Sequence, residues 1–409
     1  MRTFASLQIP NYRRYFTGQV VSLSGNWMQT VAEMWLVVQL TGSGFAVGLT
    51  AALQFLPIMV FGAWGGLLAD RLAKRRLLLL TQSLMALPAI ALWGLTTSGS
   101  VEIWMVYALV FARGAINAVD NPARQSFAIE MVGADRVVNA VALNSVIIHT
   151  ARIVGPAAAG AVIALVGVAT CFLINALSFA AMLVALRAMD TRALHTPEPA
   201  ARAAGQVRSA LRYVRRTPNL LIPLGMMALI GTLSFNFQVL LPLLASLTWD
   251  GDASLYTALA VAMGIGSVAG ALATGARGRT GPRLLVSAAA AFGAAELLVA
   301  VAPTVELQLA ALVPLGAVSV TFAAGVNSAL QLTVEPAMRG RVMALYSVVF
   351  LGSTPIGAPI TGWIGDNVSA SWSMLYGALI ALVTVLVAGI YASRHLPARV
   401  DRPRVTAAN

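Results

Sequence analysis

Long apolar runs recur along the chain and are separated by turns that carry charge, glycine or proline. There are twelve such runs. Their ranges are approximately 15–40, 45–68, 77–98, 102–121, 140–165, 168–188, 220–245, 254–276, 284–302, 306–330, 342–365 and 371–392. The hydrocarbon core of a bilayer is about 30 Å thick and takes about 20 apolar residues per helix. The pattern therefore predicts an all-α integral membrane fold of twelve transmembrane helices.

Basic residues occur in the turns on one side of these runs. If the N-terminus is inside, lysine and arginine fall in the N-terminal segment, the even-numbered loops and the C-terminal tail. The opposite loops instead carry the acids Glu102, Asp250, Asp252, Glu306 and Asp366. Because basic loops stay in the cytoplasm, we expect both termini to be cytoplasmic. The expected location is the inner, or cytoplasmic, membrane, which the chain crosses many times.

The longest hydrophilic stretch follows the sixth run and divides the helices into two sets of six. We predict an N-terminal six-helix bundle at 1–188, a basic cytoplasmic linker at 189–218, a C-terminal six-helix bundle at 219–393 and a cytoplasmic tail at 394–409. Pro10-Asn11 and Pro218-Asn219 begin the two halves alike, and parallel repeats of this kind place a substrate site between them. Residues 208–216 of the linker form either a basic amphipathic helix on the membrane or a solvated connection.

Composition excludes several classes of protein. The 409 residues are 58% hydrophobic and 10% charged, which excludes a water-soluble globule. The net charge of +12 is spread between apolar runs and forms no single patch, so we expect no nucleic-acid partner. The lone lysine, Lys74, is not in a phosphate-binding loop, and the three histidines are far apart. We therefore expect no cofactor, no metal and no enzymatic activity.

The turn after the second run carries the most specific motif. It reads Gly66-Leu67-Leu68-Ala69-Asp70-Arg71-Leu72-Ala73-Lys74-Arg75-Arg76. This segment resembles the signature of the major facilitator superfamily, with Ala73 in the place of the usual glycine. The resemblance covers essentially the whole chain and implies two six-helix bundles. It also implies a gate in which Asp70 and the bases Arg71, Lys74 and Arg75 hold the bundles together in one conformation and release them in another.

A second motif lies in the fifth run. Gly155-Pro156 with Gly160 resembles the antiporter motif of drug/proton exchangers, although Ala151 and Ala159 replace two of its glycines. Close helix packing and a mechanistic bend are both open roles for it. The segments 11–16, 25–29 and 339–346 narrow the resemblance to the drug/proton antiporter branch that includes enterobactin exporters, Tap-like multidrug pumps and macrolide efflux proteins. Many members of that branch have an acid where this chain has Asn26.

Polar residues form one stripe on the first helix. Gln19, Ser22, Asn26, Gln29 and Glu33 fall within an arc of about 80°. Such a stripe cannot face lipid, so we expect it to line the cavity, with Glu33 either the proton carrier or an interfacial carboxylate.

Arg113 in the fourth helix stays charged and requires an acceptor. Glu33 is the preferred partner and Asp120 the alternative, and Asn117 and Asp120 continue the face of Arg113.

Fewer ionisable groups lie elsewhere in the membrane. His149 and Arg152 are one turn apart on the fifth helix, and we expect a buried imidazole and a clamp between the bundles. In the C-terminal half we expect Glu296 to be interfacial. The uncharged residues predicted to line the cavity there are Asn236, Gln238, Asn327 and Gln331.

These residues lead to one main hypothesis. The chain is predicted to be a proton-coupled antiporter that exports amphipathic small molecules such as drugs by alternating access. The alternatives are an exporter of a siderophore or another dedicated metabolite, and a channel or facilitator without proton coupling. The expected partners are a small-molecule substrate, protons and the lipid bilayer, and the expected state is a monomer.

Overall fold

The described part of the chain is helical throughout. A computed structural model describes residues 5–133, 136–195, 206–277, 282–352 and 354–395. After a short 3-10 turn, Ala5–Gln8, the helices are α1 (Pro10–Thr41), α2 (Gly44–Arg71), α3 (Lys74–Thr97), α4 (Ile103–Val132), α5 (Val137–Val166), α6 (Val168–Arg187), α7 (Gln206–Arg216), α8 (Pro218–Leu233), α9 (Phe237–Leu243), α10 (Ala253–Arg277), α11 (Pro282–Ala300), α12 (Val305–Thr333), α13 (Pro336–Leu351), α14 (Thr354–Asn367) and α15 (Ala370–His395). We call α1–α6 the N-terminal half and α8–α15 the C-terminal half.

Ten helical segments in the described residues are long and apolar enough to cross a membrane. α8 and α9 together form one of them, and α13 and α14 form another. α1 is not among the ten, and its polar stripe explains why. The apolar part of α11, Leu284–Ala300, is shorter than the others. The protein is thus a multi-pass membrane protein.

Three helices differ from the pattern of apolar runs. The fourth run was expected to end at 121, but α4 continues through Pro122 to Val132, so Arg124 lies inside a helix and not in a loop. Proline lacks an N–H donor, yet packing against other helices holds the helix together. The seventh run is interrupted at 234–236, between α8 and α9, and the eleventh between α13 and α14. Two or three residues are too few to interrupt a hydropathy pattern.

Each half packs mainly within itself. In the N-terminal half α1 contacts α5 and α6, α2 contacts α4, and α3 contacts α4 and α6. In the C-terminal half α12 lies against α10 and α11, while α15 contacts α8 and α11. α7 is a helix whose Val214 is buried, and it contacts α8 and α13. The basic segment between the halves therefore forms a helix that rests on protein.

Two pairs of helices make the main contacts between the halves. α2 packs against α14, and α5 packs against α10. We call the end of the molecule that carries the α2–α3 turn the basic end, and the end that carries Glu102 and Asp366 the acidic end. Gly48 meets α14 so closely that a Cβ atom would lie 2.3 Å from the Ala358 carbonyl oxygen. Such backbone contact requires glycine and lies toward the acidic end.

Candidate functional site

A cavity of about 340 Å³ lies between the two halves. This volume is within the range of small-molecule sites. α1, α2 and α5 form one wall, and helices of the C-terminal half form the other. The polar and aromatic side chains in the lining are Trp27, Thr30, Phe55, Arg152, Phe235, Asn236, Phe237, Gln238, Tyr256, Ser267, Ser319, Phe350 and Thr354. The lining is thus mixed, with an apolar body and a few polar groups.

Arg152 is the only formally charged residue among the described residues that line the cavity. Its guanidinium carbon lies 5.1 Å from the centre of the Trp27 ring, which is a cation–π contact. Trp27 lies directly against α5, because a Cβ atom at Gly155 would come within 2.4 Å of the Trp27 Cβ. Gly155 of the antiporter motif therefore has a packing role that also places the indole beside Arg152.

The break between α8 and α9 forms the opposite wall. Asn236 Nδ2 donates to the Thr232 carbonyl oxygen at 2.8 Å, which leaves Asn236 Oδ1 buried without a hydrogen-bond partner. Gln238 Oε1 is likewise buried and without a partner. Phe235 stacks on Phe292 with ring centres 4.8 Å apart, behind the cavity surface. Two of the predicted cavity residues thus lie at the cavity with acceptor capacity unused.

A buried ion pair lies deeper in the N-terminal half. Arg113 Nη2 donates to Glu33 Oε2 at 2.5 Å, and Gln29 Nε2 donates to Glu33 Oε1 at 2.7 Å. Asn175 of α6 donates to the Gln29 side-chain oxygen. Glu33 is fully buried and Arg113 is 5% exposed. The structure thus pairs Arg113 with its preferred partner.

The polar stripe of α1 does not line the cavity, contrary to the sequence-based expectation. Gln29 faces α6, where it accepts a hydrogen bond from Asn175, and Glu33 faces α4, where it pairs with Arg113. Neighbouring residues on α1 line the cavity instead, and Thr30 touches both regions. It lines the cavity and accepts a 3.5 Å hydrogen bond from Arg113 Nη1. Thr30 was not singled out from the sequence, where it is one threonine in a mixed helix.

Asp120 belongs to a separate network. It accepts hydrogen bonds from Thr81 at 2.6 Å and Gln82 at 2.9 Å, and it pairs with Arg124 one turn away. Asp120 is therefore not the partner of Arg113. The two predicted asparagines of this region, Asn26 and Asn117, are half-buried and outside the cavity lining.

The superfamily motif closes a short turn between α2 and α3. Ala73 adopts φ −60°, which any residue tolerates, so the missing glycine does not strain the turn. Lys74 forms an ion pair with Glu130 of α4 at 2.8 Å, and the Arg75 Nε donates to the Leu186 carbonyl oxygen at 2.7 Å. Both bases thus contact the N-terminal half. The remaining motif residues lie at the end of α2: Gly66 and Asp70, which are half-buried, and Arg71, which is exposed.

The rest of the antiporter motif also lies at the bundle contact. A Cβ atom at Gly160 would lie 2.3 Å from the Thr257 hydroxyl, so glycine permits α5 to approach α10. Pro156 lines the cavity. The side chain of His149 lies outside the described residues.

Three sequence-based expectations for the C-terminal half are wrong. Asn327 and Gln331 do not line the cavity; Gln331 donates to Asn327 at 2.6 Å beyond the cavity, toward the end of α12. Glu296 is not interfacial but fully buried, and neither of its carboxyl oxygens has a hydrogen-bond partner. The carboxyl group occupies space left by Gly377, where a Cβ atom would lie 2.5 Å from Glu296 Oε1.

At the acidic end a carboxylate joins the two halves. Asp366 at the end of α14 accepts hydrogen bonds from the Ser43 hydroxyl at 2.6 Å and the Phe45 N–H at 2.8 Å. It also accepts from the Gly44 N–H. These donors form the start of α2, where a helix attracts negative charge. The sequence indicated only an acidic loop at this position.

Comparison with known proteins places this architecture in context. The chain is 25% identical over 264 residues to the staphyloferrin A transporter of Staphylococcus aureus (strain NCTC 8325 / PS 47), covering 64% of this chain and 65% of that one. It is 25% identical over 394 residues to the enterobactin exporter EntS of Salmonella choleraesuis (strain SC-B67), covering 93% and 92%. It is 23% identical over 407 residues to macrolide efflux protein A of Streptococcus pyogenes, covering 93% and 96%. The chain thus spans less than two thirds of the first relative and more than nine-tenths of the other two.

Solved structures show the same fold. A bacterial homologue of the iron transporter ferroportin, in an inward-facing state, superposes with a TM-score of 0.70 at 14% identity over 94% of this chain and 98% of that one. A POT family transporter in complex with 5-aminolevulinic acid gives a TM-score of 0.74 at 10% identity over 94% and 96%. The family described as Transmembrane secretion effector matches residues 1–403. The chain therefore belongs to this family of major facilitator superfamily transporters.

Proposed function

We propose that the protein is a proton-coupled antiporter that exports amphipathic small molecules by alternating access. The observation that carries this proposal is the arrangement of the cavity and the Glu33–Arg113 pair. The cavity lies between the halves, and Thr30 is both part of its lining and a contact of Arg113. A molecule in the cavity therefore contacts Thr30, which contacts Arg113, the partner of the buried acid Glu33. Coupling requires such a connection between the substrate site and an acid within the membrane.

The names of the relatives fit export and leave the substrate open. Drug export and export of a siderophore or another dedicated metabolite are the two candidates, since relatives of both kinds cover the chain at similar identity. The mainly apolar lining accepts either. We favour a small organic molecule over a metal ion, because metal-binding groups of three or more His, Cys, Asp or Glu do not occur in the described residues.

Alternating access is supported by where the halves touch. The contacts at Gly48, Gly160 and Asp366 lie at the acidic end, and we propose that the described state is closed there. In the opposite state the Asp70 motif would join the bundles at the basic end. Opening one end then requires breaking one set of contacts and forming the other.

We further propose the full topology expected from the charge pattern. α1 and α11 would complete twelve spans, with both termini in the cytoplasm. The protein would be a monomer whose two six-helix bundles comprise residues 1–188 and 219–393. A reporter fused after Asp252 should then be external, and one fused after Gln206 should be internal. A reporter found on the other side at either site would contradict the topology.

Proton coupling is tested with purified protein in proteoliposomes. Wild-type protein should accumulate substrate against its gradient when a pH gradient is imposed, whereas Glu33→Gln should allow only downhill equilibration. Glu296→Gln is the matched control, because it removes an equally buried carboxyl group from the other half. Thermal unfolding of each variant checks that the protein is folded.

The outcomes separate the alternatives. Accumulation that persists in Glu33→Gln would show that Glu33 does not carry the proton, and the remaining candidate carriers would be Asp120, His149 and Asp70. Wild-type protein that never accumulates substrate, yet passes it downhill, would favour the channel or facilitator.

A further inference from the structure

The central cavity has an unbalanced positive charge. Arg152 is exposed, and it is the only formally charged lining residue in the described parts of the chain. The three ion pairs formed by described residues use Lys74, Arg113 and Arg124, so no described carboxylate pairs with Arg152. Its neighbour is the Trp27 ring, 5.1 Å away.

This imbalance has a consequence for the ligand. A guanidinium group remains charged in any protein environment, and within a membrane such a charge calls for a counter-charge. An aromatic face supplies only part of that compensation. A cationic ligand would meet repulsion, whereas a carboxylate would fit the planar donor fork of arginine.

Glu33 does not change this balance. It is fully buried, does not line the cavity, and its two oxygens already accept from Arg113 and Gln29. The cavity therefore offers a cation no described carboxylate. Glu33 could attract a cation only after the Glu33–Arg113 ion pair had broken.

The wall across the cavity adds a second recognition element. Asn236 Oδ1 and Gln238 Oε1 are buried acceptors that lack a donor. A ligand hydroxyl or amide N–H would satisfy them. Phe235 and Tyr256 line the space beside them and suit an apolar or aromatic body.

We propose that the cavity binds an amphipathic organic anion, with its carboxylate on Arg152, its apolar body against the aromatic wall, and hydrogen-bond donors toward Asn236 and Gln238. This inference rests on the proposed function only in that the bound anion is taken to be the exported substrate.

The test uses two probes with the same aromatic body and opposite charges at the end of the chain. 1-Pyrenebutyrate and 1-pyrenebutylammonium share the aromatic body and the chain, so apolar contacts are matched. Saturable binding to purified protein in detergent is measured by fluorescence polarisation, with empty micelles subtracted. We expect the anion to bind about tenfold to a hundredfold more tightly than the cation, as one charge-assisted contact provides.

Substitutions at residue 152 then locate the effect. Arg152→Gln should remove the preference, Arg152→Lys should keep most of it, and Arg152→Glu should reverse it. Arg136→Gln is the control, because Arg136 lies just before the start of the same helix and contacts the Ala5 carbonyl oxygen far from the cavity. Size-exclusion elution and thermal unfolding confirm folding, and if Arg152→Gln does not fold, the reversal expected for Arg152→Glu keeps the inference testable.

Some results would overturn the inference. Equal affinity for the two probes, tighter binding of the cation, no saturable binding of the anion, or a preference unchanged in Arg152→Gln would each do so. Failure of the proposed function has a different signature: anion-selective binding that persists while pH-driven accumulation is absent in proteoliposomes. Accumulation of cations but not anions would support the proposed antiporter function and overturn the inference that the substrate is an anion.

Discussion

The two halves of the molecule have different interiors. The N-terminal half contains the three ion pairs found among the described residues, of which Glu33–Arg113 and Asp120–Arg124 are buried within the bundle. The C-terminal half contains a phenylalanine cluster around Phe235 and Phe292. Among its described residues Glu296 is the one fully buried acid, and neither carboxyl oxygen has a described hydrogen-bond partner. One half is thus held by charge and the other by aromatic packing.

The difference indicates that the two halves have different roles at the cavity. Buried ion pairs fix side chains in place, because losing either partner leaves an uncompensated charge. The break between α8 and α9 instead leaves Asn236 and Gln238 with acceptors that a ligand can satisfy. The N-terminal half therefore supplies a fixed positive charge at Arg152, and the C-terminal half supplies an adaptable wall.

Removing the cation of the central pair should have the largest effect. Arg113→Ala leaves Glu33 buried without its cation, and we expect a loss of about 3–5 kcal/mol of stability together with loss of transport. Thermal and denaturant unfolding in detergent would measure the first, and proteoliposome uptake the second. The double variant Glu33→Gln/Arg113→Gln removes both charges and should be more stable than Arg113→Ala. A double variant that is less stable would contradict the account.

The same substitution at the two buried acids sharpens the comparison. Glu33→Gln leaves the buried Arg113 charge without its acid, although the glutamine oxygen can still accept a hydrogen bond from Arg113, and should cost about 3 kcal/mol. Glu296→Gln removes no ion pair and should cost less than about 1 kcal/mol, because the carboxyl group has no described partner to lose. Parallel unfolding curves of the two variants provide the measurement. Equal losses would show that the interiors do not differ as described.

Substituting two aspartates at the acidic end distinguishes a contact between the halves from a contact within one half. Asp366 caps the start of α2 across the halves, whereas Asp252 caps α10 within its own half through Ser254 and Leu255. Asp366→Asn should weaken the closed acidic end by about 0.3–1 kcal/mol, or about twofold to fivefold in the open population. Asp252→Asn is the control and should not open that end.

Cysteine labelling measures this opening. The background is Cys171→Ala, which removes the single buried cysteine, and the reporter is Thr257→Cys at the contact with Gly160. Labelling by a membrane-impermeant reagent should rise in Asp366→Asn. Similar rises in both aspartate variants would mean that helix stability, and not the contact between halves, controls access.

Asp70→Asn keeps the size and shape of this half-buried side chain, so we expect it to have the smallest effect on stability, within about 0.5 kcal/mol. It should nevertheless shift the protein toward the state open at the basic end and impair transport. An Ala323→Cys reporter in the cavity should then react faster with a reagent supplied at that end. Unchanged labelling together with unchanged transport would refute a gating role.

Much of this interior could be predicted from the sequence, because the membrane limits the options. Arg113 remains charged, so it requires an acid. Glu33 was the preferred partner, with Asp120 the alternative, because the first and fourth helices both line the cavity in the fold of the superfamily. The polar stripe of α1 was recognised by its spacing, but spacing identifies a face and not the neighbour of that face. The stripe therefore faces α4 and α6, where Gln29 meets Asn175. A single asparagine within the apolar run of α6 did not reveal this contact.

Other features depend on packing that one sequence does not display. The end of α4 was misplaced because Pro122 usually ends a helix, and contacts with other helices outweigh that tendency. Glu296 was placed at the interface because the ninth helix is usually peripheral in this fold, whereas the gap at Gly377 on α15 makes room to bury it. Asp366 was one acid among several in the loops. Its partners lie more than three hundred residues away, at the start of α2.

The polar composition of α1 bears on how the protein is made. The helix leaves the ribosome before α4 and α6, yet it is not among the segments long and apolar enough to cross a membrane. Its partners Arg113 and Asn175 lie on α4 and α6, which are synthesised later. Until they emerge, α1 has no acceptor or donor to replace water. We therefore expect the translocon to retain α1, or to release it only together with α6, so that α1 should crosslink to the translocon in a chain stalled before α6 emerges and not in one stalled after it.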